Sequence, residues 1–208
     1  MAGDKSDGNW TYGTYLELDR LLQLQGDDRG VSRDEMHFII VHQTFELWFK
    51  QVIRELAESR DTLSSEQVAE EMIPSVVHRL GRVTEIFRLM AQQWSVMETL
   101  TPQDFLTFRD RLGTSSGFES WQLRQIEIIL GLEQQQRDAG MDPVKHMERL
   151  EREGKVSSEV LIEFREIIAS PSLNELLGKW LFRTPINGSF PNDKGDEKSP
   201  EQPDRGRV

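Results

Sequence analysis

Residue types and spacings that could build a binding site gather at four positions of this 208-residue chain: Phe38, His42, Phe105 and Arg109. His42 follows Phe38 by four residues and precedes Phe45 by three. On a helix, residues i and i+4 share a face. A phenyl ring and an imidazole would then stand side by side, an apolar wall with one titratable edge, which suits a planar apolar ligand with one polar atom. The same spacing also describes a core histidine satisfied by a neighbouring carbonyl, as buried polar groups usually are. Phe105 and Arg109 repeat the interval. A guanidinium beside a ring, followed by the hydroxyl-rich turn Thr114-Ser115-Ser116-Gly117, could grip a carboxylate through two parallel hydrogen bonds. An ordinary surface arginine fits that spacing too.

Other candidates are weaker. Tyr12 and Tyr15 are the only tyrosines and lie three apart; Trp94 closes an apolar stripe. Simple packing accounts for all three. His78 and His146 sit among charged residues and read as solvated surface histidines. No H-x-x-x-H or H-E-x-x-H pair occurs, so no protein-only zinc site is expected and no residue is assigned to a metal. The absence of cysteine excludes disulfides, thiolate nucleophiles and thiolate metal ligands.

These residues need helices to position them, and helical periodicity dominates the chain. A short amphipathic segment is expected from Tyr12 to Gln25, then a loop over Gly26-Asp27-Asp28-Arg29-Gly30. Ser32 and Glu35 form an S-x-x-E capping box that should open a long helix to about Glu58. That helix is apolar on several sides and should be buried nearly all round. A second helical stretch, Glu66 to Met97, contains Pro74, which should kink or divide it. Its stripe is Val76, Val77, Leu80, Val83, Phe87, Met90 and Trp94. Thr101-Pro102-Gln103-Asp104 reads as a capped helix start, with the end near Leu112-Gly113. Further helices are expected over Phe118–Leu132, Asp142–Glu153, Ser157–Ala169 and Ser172–Phe182, with starts marked by Asp142-Pro143 and Ser170-Pro171. The expected organisation is a flexible leader over residues 1–10, one helical domain over 11–183, and a polar, disordered or loosely docked tail over 184–208.

Composition sets outer bounds. Hydrophobic residues make up 37% and charged residues 29%, a globular balance with a well-solvated surface. A formal charge of −11 without a basic patch argues against nucleic acid as a partner. The apolar runs are too short for a membrane span, and the N-terminus has no apolar signal region, so the expected compartment is the cytoplasm.

Five segments carry a resemblance. Thr11–Asp19 (TYGTYLELD), Asp34–Trp48 (DEMHFIIVHQTFELW), Trp94–Pro102 (WSVMETLTP), Phe105–Arg109 (FLTFR) and Ser115–Ser120 (SSGFES) are similar, in order, to the signature blocks of the tryptophan 2,3-dioxygenase family. The resemblance implies an all-α helical bundle of the type shared with indoleamine 2,3-dioxygenase, a homotetramer, haem b as cofactor, and L-tryptophan and O2 as substrates. The activity it implies is cleavage of the indole C2–C3 bond to give N-formyl-L-kynurenine, a step of tryptophan catabolism. It implies that Phe38 and Phe105 pack on the substrate, that His42 is the catalytic distal histidine meeting the indole N–H, and that Arg109 clamps the carboxylate. It further implies that Tyr12 and Tyr15 reach a neighbouring protomer's pocket, and that Trp94, Ser116 and Gly117 line the haem. The family's proximal histidine lies before a Gly-Thr-Gly-Gly-Ser-Ser-Gly loop that these 208 residues do not contain. The expectation is therefore a C-terminally truncated member in which haem binding is weak or absent. The alternatives are a non-catalytic helical remnant that oligomerises or binds an indole ligand, and a related enzyme acting on another indole.

Overall fold

The computed structural model describes residues 10–113, 115–132 and 142–184. The leader and tail lie outside the described residues apart from Trp10 and Thr184, and so does Thr114. Among the described residues every regular element is helical, as the all-α reading requires. The order is α1 (Tyr12–Tyr15), α2 (Leu18–Leu21), α3 (Arg33–Ser64), α4 (Ile73–Met97), α5 (Pro102–Phe108), α6 (Trp121–Leu130), α7 (Pro143–Arg152), α8 (Ser158–Ala169) and α9 (Leu173–Arg183). Short 3-10 turns cover Asp27–Arg29, Glu70–Met72, Arg109–Leu112 and Gly117–Glu119. No described helix is long and apolar enough to cross a membrane.

Local chemistry sets most of the boundaries. Oxygens of Thr101, Ser120, Asp142, Ser157 and Ser172 accept backbone N–H groups at the starts of α5 to α9, satisfying donors that a helix leaves orphaned. At α9 the box is reciprocal: Glu175 accepts from the Ser172 N–H and hydroxyl, which hold its carboxyl below the usual carboxylate range. The cap of α9 is thus Ser172 rather than the Ser170-Pro171 pair. Pro74 neither kinks nor divides its helix. It is the second residue of α4, where a missing N–H costs nothing. The segment Tyr12–Gln25 is broken in two, because Glu17 takes a left-handed conformation (φ 50°) between α1 and α2. At the start of α3 Ser32 caps Glu35, and the helix runs six residues beyond the expected Glu58. It is not buried all round: Val41, Phe49, Val52, Leu56 and Leu63 are buried, while Ile40 and Leu47 are exposed. On α4 the buried side is Val76, Val83, Ile86 and Met90, with Val77 and Trp94 exposed.

The chain divides into two compact units, Met1–Phe45 with Gln92–Thr114, and Glu46–Ala91 with Ser115–Val208. In the first, Phe108 and Val41 are buried, and Gln93 Nε2 donates to the Val41 carbonyl at 3.3 Å. In the second, Met147 and Leu150 of α7 and Leu161 and Phe164 of α8 form a buried cluster, flanked by Trp121, Ile128, Val156 and Val160. Gly131 ends α6 at φ 87°, and a Cβ there would stand 2.7 Å from the Ser172 hydroxyl oxygen, so both conformation and close approach require glycine.

The Phe164 ring is wholly buried, and its removal leaves a cavity. Phe164→Ala should lower unfolding free energy by about 3–5 kcal/mol. Ile162→Ala, on the exposed side of the same helix, should change it by less than about 0.5 kcal/mol. Urea denaturation midpoints at unchanged m-value check both; equal losses would mean that α8 is packed on the other face.

Candidate functional site

Phe38 and His42 lie one turn apart on α3, and the structure packs their rings together with centroids 4.0 Å apart and planes tilted by 37°. His42 Nδ1 donates to the Phe38 carbonyl at 2.8 Å. A carbonyl can only accept, so this bond fixes the proton on Nδ1 and leaves Nε2 of the neutral ring as an acceptor. Both sequence readings of His42 therefore meet here: it is bonded to a neighbouring carbonyl, yet it is only partly buried, and Nε2 has no partner among the described residues. The rings continue across to α5. Phe38 lies 5.8 Å from Phe105 and 5.6 Å from Phe108, and Phe105 and Phe108 meet edge to face at 5.4 Å. Three phenyl rings and one imidazole form an aromatic cluster with a single hydrogen-bonding edge. Phe108 was not singled out from the sequence, although it is the most buried of these residues.

Arg109 does not complete a helical i, i+4 pair with Phe105. Helix α5 ends at Phe108, and Arg109 opens a 3-10 turn. Its Nη1 donates to the Gly113 carbonyl at 3.0 Å, and among the described residues it has no carboxylate partner. Arg111, two residues on, is engaged on three sides: it pairs with Glu35 at 2.9 Å and donates to the carbonyls of Arg29 (3.0 Å) and Gly30 (3.3 Å). Glu35, read from the sequence as half of a capping box, is buried and directs its carboxylate to Arg111. Arg111 therefore ties the start of α3, the Gly26–Gly30 loop and the turn that bears Arg109 into one piece. No sequence signal marked it, because the two partners lie far apart in the chain.

The remaining candidates are placed as follows. Trp94 is 54% exposed and packs on Phe45 at 5.3 Å. Tyr12 and Tyr15 stand 78% and 70% exposed, with Tyr15 edge-on to Trp10 at 6.1 Å. Ser116 and Gly117 belong to the second unit. The Ser116 hydroxyl accepts the Phe118 N–H at 3.3 Å, and the space a side chain would occupy at Gly117 is open. His146 corrects the expectation of a solvated surface histidine. It is only 7% exposed, with Nε2 on the Phe118 carbonyl and Nδ1 on Arg149. His78 is exposed, as expected, beside Arg82.

Whether these residues suit haem is a question of shape and donors. The half-exposed Trp94 ring, packed at a tilt against Phe45, offers the kind of aromatic face that a flat apolar macrocycle covers, and the Nε2 of His42 is the ring nitrogen left open. In the other histidines Nε2 is engaged: His37 with the Val96 carbonyl, His78 with Arg82, His146 with Phe118. No three acidic or histidine side chains gather to hold a bare metal ion among the described residues. Among the described residues the donor set is therefore an exposed aromatic face and one open ring nitrogen, which is compatible in chemistry with a flat apolar group that carries one polar atom.

The sequence model of the tryptophan 2,3-dioxygenase family matches residues 2–190. The chain is 44% identical over 179 residues to the tryptophan 2,3-dioxygenase of Alteromonas mediterranea, covering 84% of this chain and 48% of that protein. It is 40% identical over 183 residues to that of Sorangium cellulosum, with 86% and 44% covered. It is 43% identical over 185 residues to tryptophan 2,3-dioxygenase 2 of Ralstonia nicotianae, with 86% and 50% covered. The chain thus spans about half the length of the curated relatives it matches.

The Arg111 tie has a measurable cost of removal. Arg111 is about half exposed, but Glu35 is not, so Arg111→Ala leaves a nearly buried carboxylate unpaired. The loss should fall at about 1–3 kcal/mol, between an exposed pair and a buried one. The double variant with Glu35→Gln should recover part of it. A double-mutant cycle with no coupling would remove the tie.

Proposed function

This chain belongs to the tryptophan 2,3-dioxygenase family, and from that premise we propose that it carries the substrate-reading side of a haem-dependent dioxygenase acting on L-tryptophan. The observation that carries the reading is the close-packed Phe38–His42 ring pair with Nε2 left open among the described residues. An indole is a flat apolar ring with one N–H on its edge, and the pair offers a flat ring and one acceptor.

In this reading the rings of Phe38 and Phe105 hold the indole by dispersion and edge contacts. His42 accepts the indole N–H at Nε2 and so fixes which edge faces the reacting centre. Arg109 receives the amino-acid carboxylate, and its lack of an acidic partner among the described residues supports that role. Phe45 and Trp94 would flank the haem, with Ser116 and Gly117 assigned to its edge by the resemblance alone. Haem, when bound, supplies the iron chemistry that activates O2. The protein's part is to orient the indole and exclude water, so that both oxygen atoms are inserted across C2–C3 and N-formyl-L-kynurenine results with no other co-substrate. We further propose a cytoplasmic homo-oligomer, the family's tetramer. The exposed Trp10, Tyr12, Tyr15, Leu22 and Leu24 supply apolar surface for a neighbouring protomer, and an exposed cluster of this kind marks an interaction surface.

The test separates the roles. By titration calorimetry, Arg109→Ala should weaken tryptophan binding by on the order of 3 kcal/mol, more than a hundredfold in Kd. Phe38→Ala should remove roughly 1 kcal/mol of stacking beyond area burial. Equal losses would sink the carboxylate clamp. In haem-supplemented protein that forms N-formyl-L-kynurenine, His42→Ala should slow tryptophan turnover at unchanged haem content, and slow 1-methyltryptophan much less, because that analogue has no N–H to hold. Equal slowing on both substrates, with a lowered melting temperature, would leave His42 a packing residue.

A further inference from the structure

The Gly117–Glu119 turn has little structure of its own. Its backbone bonds run from Glu119 N–H to the Ser116 carbonyl (2.9 Å) and from Ser120 N–H to the Gly117 carbonyl (3.2 Å). The Phe118 side chain is exposed and contributes little anchoring. Two distant side chains nevertheless reach the turn. His146 on α7 bonds the Phe118 carbonyl at 3.0 Å, and Lys155, beyond the end of α7, meets the Glu119 carboxylate at 2.5 Å.

We propose that His146 is a positioning residue that holds the Ser116–Glu119 turn in place by donating Nε2–H to the Phe118 carbonyl, with Lys155 as a second tether. This deepens the functional reading and rests on it for one point only, that Ser116 and Gly117 face the ligand.

The tautomer is set from the other side of the ring. Arg149 Nη2 lies 3.1 Å from Nδ1. A guanidinium only donates, so Nδ1 must accept and the proton must sit on Nε2, where the carbonyl needs it. Both nitrogens are used, in a ring that is 7% exposed. The charged groups facing the ring are Arg149 on α7, Arg124 on α6 and Glu119 on the turn. Burial, then the Arg149 charge, pushes the His146 pKa down, with the Phe118 bond and Glu119 opposing. Protonation at Nδ1 would expel Arg149 and set two cations against each other. The sign follows from linkage. A histidine with a lowered folded pKa binds fewer protons than its unfolded counterpart, so its contribution to stability is complete above the ordinary histidine range and is lost as pH falls through it.

Residue-resolved amide hydrogen exchange on the full chain tests the proposal without any ligand. In His146→Leu the Glu119 and Ser120 amides should exchange about three- to tenfold faster, the equivalent of one net hydrogen bond, while Ile126 and Ile129 in the core of α6 keep their protection. His146→Gln, which can donate an amide N–H to the same carbonyl, should restore most of the protection. Lys155→Gln, a milder change at a partly exposed site, should loosen the same two amides if His146→Leu fails to fold. A uniform rise across α6 and α7, without rescue by glutamine, would overturn the proposal, as would unchanged protection at Glu119 and Ser120 in both His146→Leu and Lys155→Gln. Failure of tryptophan to bind while this pattern holds would sink the functional reading and leave the tether standing.

Discussion

A nearly buried carboxylate at the first turn of a long helix has to be neutralised, and Glu35 meets that demand through Arg111. The pair does more than balance charge. Arg111 also takes the carbonyls of Arg29 and Gly30, so one guanidinium closes the loop before α3 against the turn after α5. The consequence falls on its neighbours in sequence. Phe38 and His42 are carried by the helix whose first turn holds Glu35, and Arg109 by the turn that contains Arg111. The aromatic contacts of Phe38 with Phe105 and Phe108 need that registration, because rings 5–6 Å apart lose their contact if the backbones shift by an ångström or two. A single ion pair thus fixes the frame on which the aromatic cluster and the unpaired arginine are mounted.

The contrast between Arg109 and Arg111 shows how two like residues diverge by environment. Arg111 is occupied by one carboxylate and two carbonyls, and Arg109 by one carbonyl. A guanidinium carries five donors in a fixed fork, so the second keeps most of its capacity for an incoming anion. His42 is divided in the same way. One ring nitrogen is committed to its own helix and the other is open, so the ring is held without being consumed. Groups held by one bond and open at another suit recognition, since their geometry is fixed before the ligand arrives.

Much of this was legible in the sequence where the signal is local. Caps at Ser32, Thr101 and Asp142 follow from short side chains that reach only the next turn. The i, i+4 spacing placed Phe38 beside His42 for the same reason. Where tertiary context decides, the sequence pattern misled. Pro74 lay inside an apparently continuous helical pattern, but the 3-10 turn at Glu70–Met72 moved the helix start to it. Tyr12–Gln25 has the apolar spacing of one helix, yet Glu17 breaks it with a left-handed residue that no composition rule marks. Arg111 and its partner Glu35 lie in different helical segments, and pairings of that kind leave no periodic trace.

His146 carries the same lesson further. Its neighbours in sequence, Lys145, Glu148 and Arg149, are charged, and a histidine among charges reads as solvated. The helix, however, turns those residues outward on one side and places His146, Met147 and Leu150 on the buried one. Burial then excludes water from the ring, and each of its nitrogens must find a protein partner or lose hydrogen-bonding energy. The partners are Arg149, three residues on and one turn away, and the Phe118 carbonyl, twenty-eight residues back. The local bond follows from helical spacing; the distant one follows from the packing of α7 against α8, whose apolar cluster of Met147, Leu150, Leu161 and Phe164 fixes where the histidine side of α7 points. Apolar packing thus aims a polar group, and the polar group in turn holds a turn too short to hold itself.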